Sequence, residues 1–81
     1  MKHHCTQDTD LDELIGHDEA DGFHQGPLYT SMKRNEPLEL EESVLLSPTV
    51  QVKLAGFMHG LLIPETGEWL PTKEHFEIVF H

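Results

Sequence analysis

The chain has 81 residues, of which 15 are Asp or Glu and five are Lys or Arg, so its formal charge is −10 with the seven histidines neutral. This length allows one small domain. The charge argues against direct binding to nucleic acid or to anionic lipid, since both partners require a basic face. The sequence contains no run of about 18 apolar residues and therefore predicts no membrane contact. The single Cys5 excludes an internal disulfide and, with no secretory signal pattern, leads us to expect a cytoplasmic protein.

Apolar residues are unevenly divided between residues 1–26 and residues 27–81. The first segment has seven apolar residues, seven carboxylates and one Lys, whereas the second has 23 apolar residues in 55 positions. Few apolar groups in the first segment can offset the entropy lost on ordering. The sequence therefore predicts an acidic, flexible or conditionally folded segment at 1–26, followed by a small globular domain at 27–81. The Gly26-Pro27 step marks the boundary, because proline disfavours helix in the residue before it.

A short helix is predicted within the first segment. Thr9 followed by Asp12 resembles a helix-capping arrangement, with carboxylates in the first turn, and Gly16 would end the helix. Its apolar stripe consists of Leu11, Leu14 and Ile15. A helix of about six residues is marginal alone in water, so we expect it to need a surface on which to dock.

The first half of the second segment gives mixed signals. Residues 28–34 are predicted as a strand, and residues 36–46 fit neither the strand period nor the helix period, which leaves one helix there as an open alternative. Val50, Val52 and Leu54 alternate with polar residues, which favours a half-buried strand. The rival is a helix that begins at Ser47-Pro48, because Val50, Leu54, Phe57 and Leu61 also fall on one helical face.

The second half is clearer. Residues 63–68 are predicted as a turn, with Pro64 to start it and Gly67 for a positive φ. A terminal strand with one apolar face is predicted from Phe76, Ile78 and Phe80. Phe57 and Trp69 are expected in the core.

The predicted fold class is α+β and β-rich: a small, mostly antiparallel sheet with at most one or two short helices. Such a small core is often completed by a partner or a second copy, and exposed strand edges add to that tendency. We therefore expect self-association to a homo-oligomer.

Three sets of potential metal ligands occur near the N-terminus. Asp8, Asp10, Asp12, Ile15 and Glu19 match five positions of a calcium-binding loop, but Glu13 stands where the sharp turn needs Gly. The other two sets are His3, His4 and Cys5, and His17, Asp21 and His24, which would share one face of a helix. Either set could hold a transition metal only on a rigid scaffold. Gly16 and Gly22 disfavour the helix that the second set needs, and the first set lies at a terminus that is expected to be loose. We therefore expect no metal and no cofactor.

The sequence does not predict an enzyme. It has no strained nucleophile turn, no phosphate-cradling glycine loop and no dinucleotide-binding fingerprint. Carboxylates need burial before they do general acid–base chemistry, and Glu39, Glu41 and Glu42 are expected to be exposed.

The function predicted from these features is that of a small acidic binding protein, which occupies a basic surface of another macromolecule as a phage-type or immunity-type inhibitor or a nucleic-acid mimic. The expected partner is a basic protein, in particular one that binds nucleic acid. Two alternatives remain: an accessory or assembly subunit of a larger complex, and a metal- or pH-responsive histidine-rich module. The predicted partner-binding residues are Asp10, Leu11, Asp12, Glu13, Leu14, Ile15, Asp18, Glu19, Phe23, Glu39, Glu41 and Glu42.

Overall fold

A computed structural model describes residues 1–63 and 66–81, with all their side chains except those of Met58 and His59. Within these ranges the chain forms seven short strands and three α-helices in a small α+β arrangement. In chain order they are β1 (Lys2–His4), α1 (Leu11–Ile15), β2 (Gly16–Glu19), β3 (Gly22–Gln25), α2 (Pro27–Arg34), β4 (Leu38–Glu41), α3 (Pro48–Ala55), β5 (Gly60–Ile63), β6 (Glu68–Pro71) and β7 (Ile78–Phe80). Single 3-10 turns follow β4 and α3. None of the described helices is long and apolar enough to cross a membrane.

The largest sheet is parallel, not antiparallel as the sequence was expected to give. Its order is β1-β4-β7, with β4 in the centre and parallel to both neighbours. The expectation was wrong because alternation along a strand reports which face is buried and says nothing about the direction of the neighbouring strand. Each parallel pair is joined by a crossover that contains helices, as parallel pairing requires. The antiparallel pairs are two separate hairpins, β2–β3 and β5–β6.

The β5–β6 hairpin confirms part of the predicted turn at 63–68. Gly67 has the expected positive φ of 70°, and its N–H donates to the Ile63 carbonyl at 2.8 Å. Pro64 and Glu65 lie outside the described residues. Trp69 is not a core residue: it pairs across the hairpin with Leu62, and its side chain is more than half exposed.

The first helix forms where it was predicted, with a different cap. Asp10 is the N-cap, and its carboxylate accepts a hydrogen bond from the Glu13 N–H at 2.9 Å. Thr9 instead accepts one from the Thr6 N–H at 2.8 Å. Gly16, with a φ of 120°, ends the helix as expected.

Residues 28–34 form helix α2, so the predicted strand is wrong. Pro27 occupies the first turn, where its missing N–H costs nothing, and Asn35 closes the helix in the left-handed conformation with a φ of 54°. Gly26 is required before it, because a Cβ there would lie 2.3 Å from the Leu14 carbonyl oxygen. This close approach is how α1 and α2 come to pack together.

Helix α3 replaces the strand that was favoured for residues 50–54. The rival helix is the one that forms: the Ser47 hydroxyl accepts from the Val50 N–H at 3.3 Å, and Pro48 follows at the first helical position. Val50 and Leu54 are buried, whereas Val52 is 72% exposed. With α1 and α2 this gives three described helices, more than the one or two expected. Residues 36–46 form strand β4 and a 3-10 turn rather than a helix.

The core draws on both halves of the chain. Cys5 and Leu14 are fully buried in the same cluster as Leu28 and Leu40, and β1 pairs with β4. The flexibility predicted for residues 1–26 is therefore not confirmed, and Gly26-Pro27 lies at the start of a packed helix. Phe57 packs against this cluster, partly buried. The buried apolar residues are Cys5, Leu14, Leu28, Tyr29, Met32, Leu38, Leu40, Leu46, Val50, Leu54, Leu61, Ile63 and Leu70.

Candidate functional site: two acidic surfaces

The predicted carboxylates lie on two separate surfaces. One is the outer face of the parallel sheet with the residue that follows β4, and the other covers α1 and the β2–β3 hairpin. The first, the acidic sheet face, consists of Glu39, Glu41, Glu42, Lys2, His4 and His81. The second, the acidic hairpin surface, is defined by the exposed carboxylates of α1, its N-cap and the β2–β3 hairpin: Asp10, Asp12, Glu13, Asp18, Glu19 and Asp21. Asp21 was not among the predicted site residues.

The acidic sheet face arises from alternation along β4. Leu38 and Leu40 are buried on the inner face, so Glu39 and Glu41 point to the other side. The parallel register then sets Lys2 beside Glu39 and His4 beside Glu41. Strand pairing therefore fixes the position of each of these charges.

The carboxylates of this face are only partly neutralised. His81 Nε2 lies 3.0 Å from Glu39 Oε1, and His4 Nε2 lies 3.6 Å from Glu42 Oε1. Lys2 Nζ lies 4.0 Å from Glu41 Oε1. With the imidazoles neutral, three carboxylates face one ammonium group, a formal charge of −2. Protonation of both histidines would bring that charge to zero.

A hollow of about 540 Å³ lies on this face, lined by Lys2, Val44, His81 and the three carboxylates. Val44 is 83% exposed beside it. Glu42 adopts a left-handed conformation, with a φ of 55°, at the start of the 3-10 turn that follows β4. Carboxylates around a hollow with one apolar wall are suited to a lysine or arginine side chain, whose head is charged and whose stem is apolar.

The acidic hairpin surface is exposed and carries paired histidines. His17 and His24 are register partners, and their rings stack with centroids 5.9 Å apart. His17 Nε2 lies 2.8 Å from Glu19 Oε1, and His24 Nε2 lies 2.7 Å from Asp21 Oδ1. The hydrogen bond with Glu19 raises the pKa of His17 above its ordinary value.

Four predicted apolar contacts belong to the protein's own packing. Leu14 is fully buried, so in this structure it is a core residue and is not accessible to a partner. Leu11, Ile15 and Phe23 are half-buried against the core. The helix thus docks on α2 of the same chain, which is the surface that its short apolar stripe needed.

The three candidate ligand sets are dispersed by the fold. The five calcium-loop positions are divided among a turn, α1 and β2, so they do not form one loop. His17 and His24 lie on paired strands rather than on one helical face. Cys5 is buried, and burial, with a smaller contribution from Glu13, raises the pKa of its thiol. Among the side chains that the structure describes, no group of three or more His, Cys, Asp or Glu is placed to hold a metal ion.

One polar cluster was missed by the sequence analysis. The Tyr29 hydroxyl donates to Glu68 Oε1 at 2.5 Å, and Lys33 Nζ lies 2.6 Å from Glu68 Oε2. Lys33 and Tyr29 together lower the pKa of Glu68, and the bond to Glu68 raises the pKa of Tyr29. The partners are far apart in sequence, and no local pattern marks them.

Comparisons of the chain with protein-family models, with curated proteins and with solved structures give no match. The chemistry of the two acidic surfaces and of the exposed apolar groups is therefore the basis for a functional assignment.

Proposed function

We propose that this protein is a small acidic binding protein that occupies a basic surface of another macromolecule, and that the acidic sheet face makes the contact. The observation that carries the proposal is the placement of Glu39, Glu41 and Glu42 on one solvent-facing side of a paired strand and its exit turn. Strand pairing fixes the backbone that carries Glu39 and Glu41, so this segment need not be ordered when it meets a partner. The expected partner is a basic protein, in particular one that binds nucleic acid.

The spacing of these charges supports contact with a cluster of a few cations. Side chains two residues apart on a strand lie about 6.6 Å apart, whereas one strand of duplex DNA carries a phosphate about every 3.4 Å of helix axis. Per unit length of its axis, the β-strand therefore carries about half the charge of one DNA strand. An inhibitor that blocks a few lysines or arginines of a nucleic-acid site needs no more than that.

The free energy of binding to a basic partner must come from several ion pairs acting together. Exposed ion pairs contribute roughly 0.2–1 kcal/mol each. Long-range attraction chiefly speeds association, and salt screens it beyond about 8 Å at physiological ionic strength. Salt should therefore slow association more than it speeds dissociation.

Two matched variants test the proposal. Glu39→Gln/Glu41→Gln/Glu42→Gln alters the acidic sheet face, and Asp12→Asn/Asp18→Asn/Glu19→Gln alters the acidic hairpin surface. Each removes three carboxylates and brings the formal charge from −10 to −7, so bulk charge is the same in both.

The experiment starts with capture of partners by the immobilised wild-type protein at low salt, elution with salt and purification of the main partner. Titration calorimetry then compares the three proteins. Loss of affinity in the sheet-face variant alone supports the proposal, and displacement by duplex DNA would place the contact in a nucleic-acid site. Equal affinity of all three proteins would refute it, and a loss confined to the hairpin variant would move the contact to that surface.

A second candidate, a pH-responsive module, is favoured by one observation. Each of the six histidines whose side chains are described lies within 4.0 Å of a carboxylate: His3, His4, His17, His24, His75 and His81. Protonation would neutralise the acidic surfaces from within the protein. Affinity for a basic partner should then be lower at about pH 5.5 than at about pH 7.5, and unchanged affinity would remove this candidate.

A further inference from the structure

The inner face of the parallel sheet is left partly uncovered at its edge strand. The register sets Ile78 beside Leu38 and Phe80 beside Leu40, so all four side chains share that face. Leu38 and Leu40 are fully buried, whereas Ile78 is half-buried and Phe80 is 48% exposed. The core that the helices complete over β4 is therefore incomplete over β7.

An apolar groove of about 480 Å³ occupies this uncovered region. Leu54 lies at its base, and Ala55, the exposed last residue of α3, forms one wall. Phe57, Phe76, Ile78 and Phe80 complete the apolar lining, and Lys73 and Glu77 supply the charged groups. The volume is enough for one or two large apolar side chains.

The backbone beside the groove is an open strand edge. β7 is the last strand in the order of its sheet among the described residues. The Glu77 carbonyl accepts from the Leu38 N–H, and the His81 N–H donates to the Leu40 carbonyl, so alternate residues of β7 face β4. The intervening residues, Ile78 and Phe80, therefore direct their N–H and C=O groups away from the sheet. An open edge of this kind is satisfied by an added extended chain.

We propose that this edge binds an extended segment of a partner protein, in which apolar residues alternate with lysine or arginine. The segment adds as a fourth strand beside β7. Its apolar side chains enter the groove next to Ile78 and Phe80. Its cationic side chains fall on the opposite face of the sheet, which is the face that carries Glu39 on β4.

The cationic part of this inference rests on the proposed function, because it makes the added strand continuous with the acidic sheet face. The strand addition itself rests on the groove and the open edge. Charge also argues against a second copy of this chain as the occupant. A second copy would bring another −10 to the interface, whereas a cationic segment brings the opposite sign.

The test uses a fluorescently labelled synthetic peptide in which valine and lysine alternate, with binding followed by anisotropy. Ala55→Trp fills the groove from an exposed wall position. Ala20→Trp makes the same change at an exposed turn residue between β2 and β3 and serves as the matched control. Ala55→Trp should weaken peptide binding about tenfold or more, and Ala20→Trp should leave it within about twofold of wild type. Equal binding by the two variants would overturn the proposal.

Backbone pairing is tested with two N-methylated peptides that keep the charge and the side chains. Methyl groups on the valine nitrogens block an antiparallel added strand, and those on the lysine nitrogens block a parallel one. Loss of binding with only one of the two peptides supports strand addition and gives its direction. Equal binding of both methylated peptides and the parent would overturn it, because attraction between charges alone would explain the affinity.

Two further arms separate this inference from the proposed function. A peptide with serine in place of lysine should bind more weakly to wild type. If it binds as tightly and Ala55→Trp still abolishes binding, the groove stands and the cationic partner of the proposed function is wrong. Sedimentation of the protein alone should show a monomer, in contrast to the self-association expected from the size of the core. A wild-type dimer that Ala55→Trp dissociates would instead make a second copy the occupant and overturn the inference.

Discussion

Tyr29 on α2 and Glu68 on β6 are joined by a hydrogen bond of 2.5 Å between the phenol hydroxyl and the carboxylate. Lys33, one turn further along α2, lies 2.6 Å from the second carboxylate oxygen, and its ammonium group lies 5.8 Å from the Tyr29 ring centroid. Glu68 thus ties the β5–β6 hairpin to α2 through Tyr29, which lies 39 residues before it in the chain. This polar link supplements the packing of Leu70 and Ile63 in the core.

Tyr29→Phe should lower the free energy of unfolding by about 1 kcal/mol, because it removes one hydrogen bond to a carboxylate and leaves the ring in place. Urea denaturation measures the change. Glu74→Gln, at an exposed residue whose carboxylate lies 3.3 Å from His75 Nε2, is a suitable control and should have no effect. An unchanged unfolding midpoint for Tyr29→Phe would show that the hydroxyl exchanges this bond for water without cost.

The same cluster predicts a dependence on acid. The pKa of Glu68 is lowered in the folded protein, chiefly by Lys33, so its stabilising effect is present above the unfolded-state pKa and is lost as pH falls through the folded value. Glu68→Gln should therefore lose less stability than wild type on acidification below about pH 4.5. Urea denaturation at several pH values measures the free energy of unfolding of both proteins. The same dependence of that free energy on pH in wild type and Glu68→Gln would contradict the prediction.

Substitution by alanine should have opposite effects on stability at different glycines of this chain. A Cβ at Gly26 would lie 2.3 Å from the Leu14 carbonyl oxygen, and one at Gly16 would lie 2.3 Å from the His24 carbonyl oxygen. Both contacts are with backbone, so Gly26→Ala and Gly16→Ala should each destabilise by about 1–3 kcal/mol or more.

Gly56→Ala is the matched control for these changes. Gly56 has helical φ and ψ of −72° and −12°, and nothing lies within 4 Å of a Cβ there. The substitution should stabilise by about 0.4–1 kcal/mol, because it lowers the entropy of the unfolded chain. Thermal unfolding of the three variants checks the order, and destabilisation by Gly56→Ala would contradict the conformation of that turn.

Local signals account for the parts of the fold that the sequence predicted. Gly16 ends α1 and Gly67 adopts a positive φ, since each requirement is set within a few residues. The sequence analysis missed α2, although Leu28, Tyr29 and Met32 lie on one helical face and Pro27 stands in its first turn. A stretch of seven residues is also short enough for a strand, and periodicity alone does not separate the two at that length. Val50 and Leu54 satisfied both a strand and a helix, and the Ser47 cap followed by proline decided for the helix.

The candidate site was predictable in composition but not in geometry. Glu39, Glu41 and Glu42 were expected to be exposed, although no strand was assigned to them; the structure leaves Glu42 exposed and Glu39 and Glu41 half-buried on the outer face of β4. The neighbours of that face were not predictable, because His81 and Lys2 reach it only through parallel pairing. Leu14 was predicted as a partner-binding residue and is instead buried in the core. The sequence could not distinguish the two roles, because an apolar stripe beside carboxylates has the same pattern whether it packs on a partner or on its own chain.

The β2–β3 hairpin should be more stable when His17 is protonated. The hydrogen bond with Glu19 is the main cause of its raised pKa. A raised folded-state pKa gives stabilisation that is complete below the unfolded value of about 6.5 and is lost as pH rises through the folded value. Histidine NMR titration should place the pKa of His17 above about 6.5. Glu19→Gln should move the pKa of His17 downward, and a wild-type pKa at or below about 6.5 would contradict the contact.

The thiol of Cys5 offers a direct measure of order in the N-terminal segment. Cys5 is fully buried, and its N–H donates to the Glu41 carbonyl at 2.9 Å, which extends the pairing of β1 with β4. Burial raises the pKa of this thiol, so little thiolate is present at neutral pH and a disulfide reagent should react slowly. The rate of this reaction should rise with denaturant in proportion to the fraction of unfolded protein, because the thiol becomes exposed only when the chain opens. An added N-terminal extension that carries an exposed cysteine, with Cys5→Ala in the chain, gives the rate of an accessible thiol. If native Cys5 reacts as fast as that control, residues 1–26 are mobile, as their composition alone predicts, and β1 is not a stable part of the sheet.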